Sequence, residues 1–254
     1  MRSVLFTIFG IFALSILPLS VSADTGAVDS NVSEGVEQVA NNESVDAPPN
    51  DVVLTQEEII TGLKEILRIG TEKAVAKLAV KDGFNKNFDV RIALPQSLKR
   101  VRISLNELGN VEPVETLELR MNRSAEGVTP LVAGYFIMGI NQLKFKDAEK
   151  ILDGQNDAAT EYLRKKMEAG LAKVVRPHVK KEMMASGTYG AYNYMMDQYR
   201  RIPFVPNVRG DVEDHMVKGI MDALFLYIAR EETLVRTNPD ARPTEPIIKL
   251  FTKT

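Results

Sequence analysis

Residues 115–166 carry two interleaved patterns that leave few folds open to this chain. Leu117, Met121, Ala125 and Val128 recur at three and four residues, which puts them on one face of a helix. Glu118, Asn122 and Glu126 recur at four, one position round from that stripe, with Arg123 beside them. A polar row along the edge of a buried face either fixes how the helix meets its neighbours or lines a site. Spacing alone leaves both readings open.

The helical period runs through the whole chain. Thr55 and Glu58 stand at capping-box spacing ahead of the stripe Ile59, Leu63, Ile66, Leu67, Gly70, Ala74 and Leu78, with Gly83 as its stop. Gly62 and Gly70, on or near that stripe, predict close helix packing. Residues 82–95, DGFNKNFDVRIALP, read as an apolar-anchored loop carrying Phe84, Phe88, Ile92 and Leu94 across the surface. Pro95 opens a second helix with Leu98, Val101, Leu105 and Leu108 inward, and Pro113 opens a third. Thr129-Pro130 opens a fourth, apolar over so much of its circumference that it should be central. Residues 147–152 form a short fifth. Asn156 or Asp157 caps a long helix with a kink or restart at Pro177, and residues 189–199 form another. After a loop at 203–210, Asp211 caps the last long helix, whose stripe Met216, Ile220, Leu224, Tyr227 and Leu234 has Glu231 on it. Residues 244–251 give a terminal turn or two. With no alternating strand pattern and no repeat, the expected fold is all-α, a single globular domain of about eight helices without a sheet over residues 55–254.

Residues 1–23 stand apart from that fold. Arg2 precedes an apolar run at 4–19, and Val21-Ser22-Ala23 supplies the small residues of a cleavage site, so a secretory signal peptide cut after Ala23 is expected. The run is short for a membrane span, which needs about 20 residues, and no second such run follows, so no transmembrane segment is expected in the mature chain. Residues 24–54 hold seven acidic residues and no basic one, with Pro48-Pro49 near the end, the composition of a disordered acidic linker. The absence of cysteine excludes disulfides, thiol chemistry and a lipidated N-terminal Cys. A periplasmic or secreted protein is therefore expected. Export and a mild, mixed charge argue against nucleic acid as partner.

Several segments in order, GLKEILRIGTEKAV, KDGF, the ALP before the second helix, LELRMNRSAE, KDAEKILDGQNDAATEYL and ALFLYIAREETLVRTNPDAR, resemble the bacterial domain-of-unknown-function family 4197. The similarity covers essentially residues 55–251. Ser124 stands where the family pattern has Ala, and Leu163 where an aromatic is common; neither departure touches a charged position. The resemblance implies an exported, helical bacterial protein and carries over no catalytic residue.

The best polar cluster for a site is Glu118, Asn122, Arg123 and Glu126 with Asp147, Asp157 and Arg164, and Glu231 raises the same question. Paired carboxylates do acid and base work when their environments split their pKa values, but at helix seams they more often pair with cations and set register. Tyr192, Met195, Met196 and Tyr199, at three- and four-residue spacing, make a soft stripe suited to an apolar ligand, a partner helix or plain core. The run Asp153-Gly154-Gln155-Asn156-Asp157 fails the calcium-loop template, with Ala158 where Gly is needed and Arg164 where Glu is needed. His178 and His215 are not at metal or triad spacing, and GxSxG, Walker and GxGxxG motifs are absent. No catalytic residue, metal or cofactor is assigned. The leading expectation is a non-enzymatic module binding an apolar small molecule or an envelope protein; the alternatives are a carboxylate-based hydrolase or lyase and an architectural envelope protein.

Overall fold

The computed structural model describes residues 54–200 and 209–252, all within one compact unit spanning 49–254. The expected signal peptide, nearly all of the acidic linker and most of the 203–210 loop lie outside the described residues. Among the described residues there are eight α-helices and no strand: α1 Gln56–Leu78, α2 Lys99–Glu107, α3 Glu112–Gln142, α4 Ala148–Leu152, α5 Ala158–Ala185, α6 Thr188–Tyr199, α7 Arg209–Thr237 and α8 Glu245–Phe251. Two 3-10 turns, Gln96–Leu98 and Pro239–Ala241, complete the set.

The four long helices pack in a ring, α1 on α3, α3 on α5, α5 on α7 and α7 back on α1. Contacts along each seam run in opposite chain directions. Lys64 reaches the Asn141 carbonyl while Asp82, beyond the other end of α1, meets Arg123. Likewise Arg164 pairs with Asp222 and Arg176 with Asp214 between α5 and α7. Phe136 of α3 and Phe225 of α7 meet across the centre with ring centroids 5.0 Å apart, and both are fully buried. α6 packs on α3 with α2 against α6, while α4 and α8 cover α1. The glycines of α1 permit the tight seams: a Cβ on Gly62 would lie 2.3 Å from Leu250 of α8, and one on Gly70 3.2 Å from Ile228 of α7. The capping box holds as read, Thr55 N–H donating to Glu58 at 2.8 Å and Glu58 N–H to the Thr55 hydroxyl at 3.3 Å.

Four local expectations are corrected. Leu108, expected inward, is 76% exposed, because α2 ends at Glu107 and Leu108 lies at its C-cap. The third and fourth expected helices are one, α3, with Pro130 inside it, and α5 likewise runs through Pro177. Both prolines are exposed. The proline rings therefore lie on the outer side of their helices, while Val128, Thr129, Val132 and Ala133 keep α3 packed on either side of the break. On α7 the inward stripe drifts by one position: Ile228, Glu232 and Val235 are buried, whereas Leu234 is 43% exposed. Asp211 lies inside the first turn of α7, which starts at Arg209, rather than at its cap.

Candidate functional site

The polar row on α3 is a dock for the backbone of the loop at 79–95. Asn122, fully buried, accepts a hydrogen bond from Ile92 N–H and donates to the Ile92 carbonyl, both at 2.9 Å. A side-chain amide thus supplies to Ile92 the pairing that a neighbouring strand would supply, while the N–H groups of Val90 and Arg91 donate to the Asn87 carbonyl. One turn back, Glu118 accepts from Leu94 N–H at 2.9 Å and from Arg91 at 3.0 Å, and it also pairs with Arg102. One turn on, Glu126 accepts from the N–H groups of Phe84 and Asn85 at 3.1 Å each and from Arg123 at 2.6 Å. As the loop advances from Phe84 to Leu94, its partners step back along α3 from Glu126 to Glu118. Burial would penalise these carboxylates if donors did not satisfy them, and both oxygens of each are engaged.

Arg123 links this row to the turn after α1. Its guanidinium donates to Asp82 at 2.6 Å, and the Glu126 carboxylate, with Asp82 second, raises its pKa. Arg123 in turn holds the Asp82 carboxyl well below the usual range, at about 2. Asp82 has φ +68°, a left-handed conformation that Asp tolerates better than most residues. A Cβ on the following Gly83 would sit 2.5 Å from the Leu78 carbonyl oxygen, so only glycine lets the chain cross the end of α1 there.

α7 grips the other side of the loop. His215 bonds the Ala93 carbonyl at 2.8 Å, Tyr227 accepts from the Asn87 amide at 2.8 Å, and Arg230 donates to Asp89 at 2.6 Å. Ile92 packs onto Gly219, where a Cβ would come within 3.0 Å of it. Phe84, Val90 and Ile92 are buried. Phe88 is the exception: it is 99% exposed. Beside it lies a shallow depression of about 460 Å³ whose lining includes Lys77, Val80, Lys81, Lys86 and Tyr227.

The remaining sequence candidates are scattered over other seams. Glu231, at the edge of the α1–α7 contact, pairs with Lys73. Arg164 bonds Asp222 at 3.1 Å and lies 4.4 Å over the Phe225 ring. Asp147 is exposed at the start of α4, and Asp157, at the N-cap position of α5, makes no side-chain cap bond. The cap is Glu232, which sequence reasoning passed over for its neighbour. Fully buried, it accepts from Ala159 N–H at 2.9 Å and from Thr160 N–H and hydroxyl at 2.7 Å each. Arg236 bonds Glu232 at 2.9 Å and donates to the carbonyls of Leu152 and Ile151 at 2.6 and 3.0 Å. An anion thus meets the N-terminus of α5 and a cation the C-terminus of α4, each matching the helix dipole. The Glu232–Arg236 spacing of four and the step from Ile228 to Val235 were the signals that could have found this pair.

Tyr192, Met195 and Met196 are buried in the core and Tyr199 is half-buried against it, the core placement among the three readings open to this stripe. The broad apolar helix, by contrast, is not wholly covered. No charged residue occurs from Gly127 to Leu143, yet Leu131 and Met138 are 46% and 50% exposed, and a Cβ on Gly134 between them would meet open space. Val174 of α5, one turn from the His178 that bonds Tyr135 of α3 at 2.9 Å, is 45% exposed. Among the described residues no group of three or more His, Asp or Glu is placed to hold a metal ion, and no helix is long and apolar enough to cross a membrane.

Fold and site together define a helical scaffold, sheet-free among the described residues, whose buried carboxylates bond its own backbone and which fastens one loop with an exposed aromatic at its tip. The chain belongs to the family described as protein of unknown function (DUF4197), which matches residues 53–252. Comparison with curated proteins and with solved structures finds no match in either.

Proposed function

We propose that this is a non-enzymatic binding module of the bacterial cell envelope, exported by residues 1–23, that docks through the tip of the loop at 79–95. The exposure of Phe88 carries this reading. The loop buries Phe84, Val90 and Ile92 and fastens its backbone to α3 and α7, yet leaves its other Phe in water at 99% exposure. An aromatic held out on a pre-ordered backbone binds without the cost of ordering a loop. Catalysis by Glu118 or Glu126 draws no support from oxygens already taken by backbone N–H groups and arginines. Phe88→Ser is expected to abolish the protein's contribution to its host while the melting temperature stays put. Full activity of that variant at normal abundance would refute the docking role. Fractionation of the host tests the location, with recovery in the cytoplasm as the contrary result.

A second reading rests on the uncharged outer face of the second half of α3, from Gly127 onward. The gap at Gly134 between Leu131 and Met138 suits a partner helix laid along the α3–α5 seam. Leu131→Asp with Met138→Asp should then disrupt an association that Phe88→Ser leaves intact.

A further inference from the structure

We infer that the Phe88 loop seats on an anionic lipid bilayer surface, an inference that rests on the docking role of that loop and names what it docks to. Phe88 is 99% exposed and Val80, across the depression, 52% exposed. Three lysines, Lys77, Lys81 and Lys86, line the same depression with Asp82 and Asp89. Of the two acids there, Asp82 bonds Arg123 at 2.6 Å and pairs with Lys86 at 3.3 Å, and Asp89 bonds Arg230 at 2.6 Å, so two carboxylates face three lysines and two arginines and the depression carries net positive charge. The side chain of Lys86 is 75% exposed, and Lys77 extends over the Tyr227 ring at 4.9 Å from its centroid.

This chemistry separates a bilayer from a protein pocket. A protein hot spot sits within a ring of contacts that shut out water, and lysine is depleted from such interfaces. An aromatic at headgroup depth needs no ring, and lysines on flexible stems reach lipid phosphates while their carbons stay in the apolar boundary. Each such lysine strengthens attachment to an anionic leaflet roughly five-fold. One aromatic with a few lysines gives reversible, salt-sensitive attachment rather than permanent anchoring. The loop is suited to this because Asn122, Glu118 and His215 hold its backbone, so insertion of Phe88 orders nothing new.

The test is co-sedimentation of the full chain with vesicles of phosphatidylglycerol and of phosphatidylcholine, comparing wild type, Phe88→Ser and the double variant Lys81→Gln, Lys86→Gln. The apolar run at 4–19 is common to all three, so differences between them report the loop. Wild type is expected to prefer anionic vesicles and to release as salt rises. Phe88→Ser should lose roughly ten-fold or more in apparent affinity, and the lysine double variant about as much. Equal binding by wild type and Phe88→Ser, or no preference for phosphatidylglycerol, would overturn the bilayer assignment. If Phe88→Ser nonetheless abolishes function in the host, the docking role stands and its partner is a protein; if it does neither, both ideas fall.

Discussion

Asn122 shows what a single side chain does here. Its amide brackets the Ile92 peptide, so Asn122→Ala would strand a buried N–H and a buried carbonyl together. Each such group costs about 1–3 kcal/mol, so a loss of about 2–6 kcal/mol is expected, read by denaturant unfolding. Asp82 carries a pH signature. Its carboxyl, held by Arg123 at about 2 against an ordinary 3.8, contributes stability that is fully present above about pH 4 and is lost as the pH falls towards 2. Unfolding curves of wild type and Asp82→Asn should therefore differ at neutral pH and converge on acidification over that window; a constant gap would mean that the ion pair is not the cause. The spacing of Glu118, Asn122 and Glu126 was legible from sequence as a row on one helix edge. What the row holds was not, because its partners are peptide groups at 84, 85, 92 and 94, and peptide groups leave no mark in residue identity. Val90-Arg91-Ile92 has a strand-like composition, but Ile92 pairs with the Asn122 side chain and the N–H groups of Val90 and Arg91 turn back to the Asn87 carbonyl.

At the scale of elements, helix number and most inward faces followed from periodicity, and the misses have steric and angular reasons. Pro130 and Pro177 looked like helix starts, but both lie on exposed faces where the ring meets no packed neighbour and buried residues on either side hold the helix together. Pro130→Ala should raise stability, on the order of 1–2 kcal/mol, by restoring the bond to the Glu126 carbonyl; a lower melting temperature would count against an unbroken α3. On α7, a stripe continued by threes and fours from Tyr227 selects Glu231 and Leu234, whereas the helix carries Ile228, Glu232 and Val235 inward. The two glutamates therefore separate cleanly. Glu232→Ala should cost about 3–5 kcal/mol, because it leaves Arg236 buried and the α5 N–H groups unmet. Glu231→Ala, at a seam edge, should cost no more than about 1 kcal/mol. Similar losses in the two variants would remove the distinction.

Taken whole, the molecule divides its charges by depth. Buried carboxylates on α3 and α7 hold a loop and a helix junction in place, while the lysines of the Phe88 region face water. Stability and binding should consequently separate by substitution: Phe88→Ser is expected to change unfolding free energy by less than about 0.5 kcal/mol, while Asn122→Ala weakens both stability and any attachment made through the loop. The description of this protein as a rigid presenter of one aromatic depends on the loop at 79–95 being as fixed as the helices beside it. Amide hydrogen exchange reads that rigidity residue by residue. Phe84, Asn85, Ile92 and Leu94 should exchange as slowly as the interior of α3, with Phe88 fast. Rapid exchange at Ile92 and Leu94 under native conditions would show that Asn122 and Glu118 do not hold the loop.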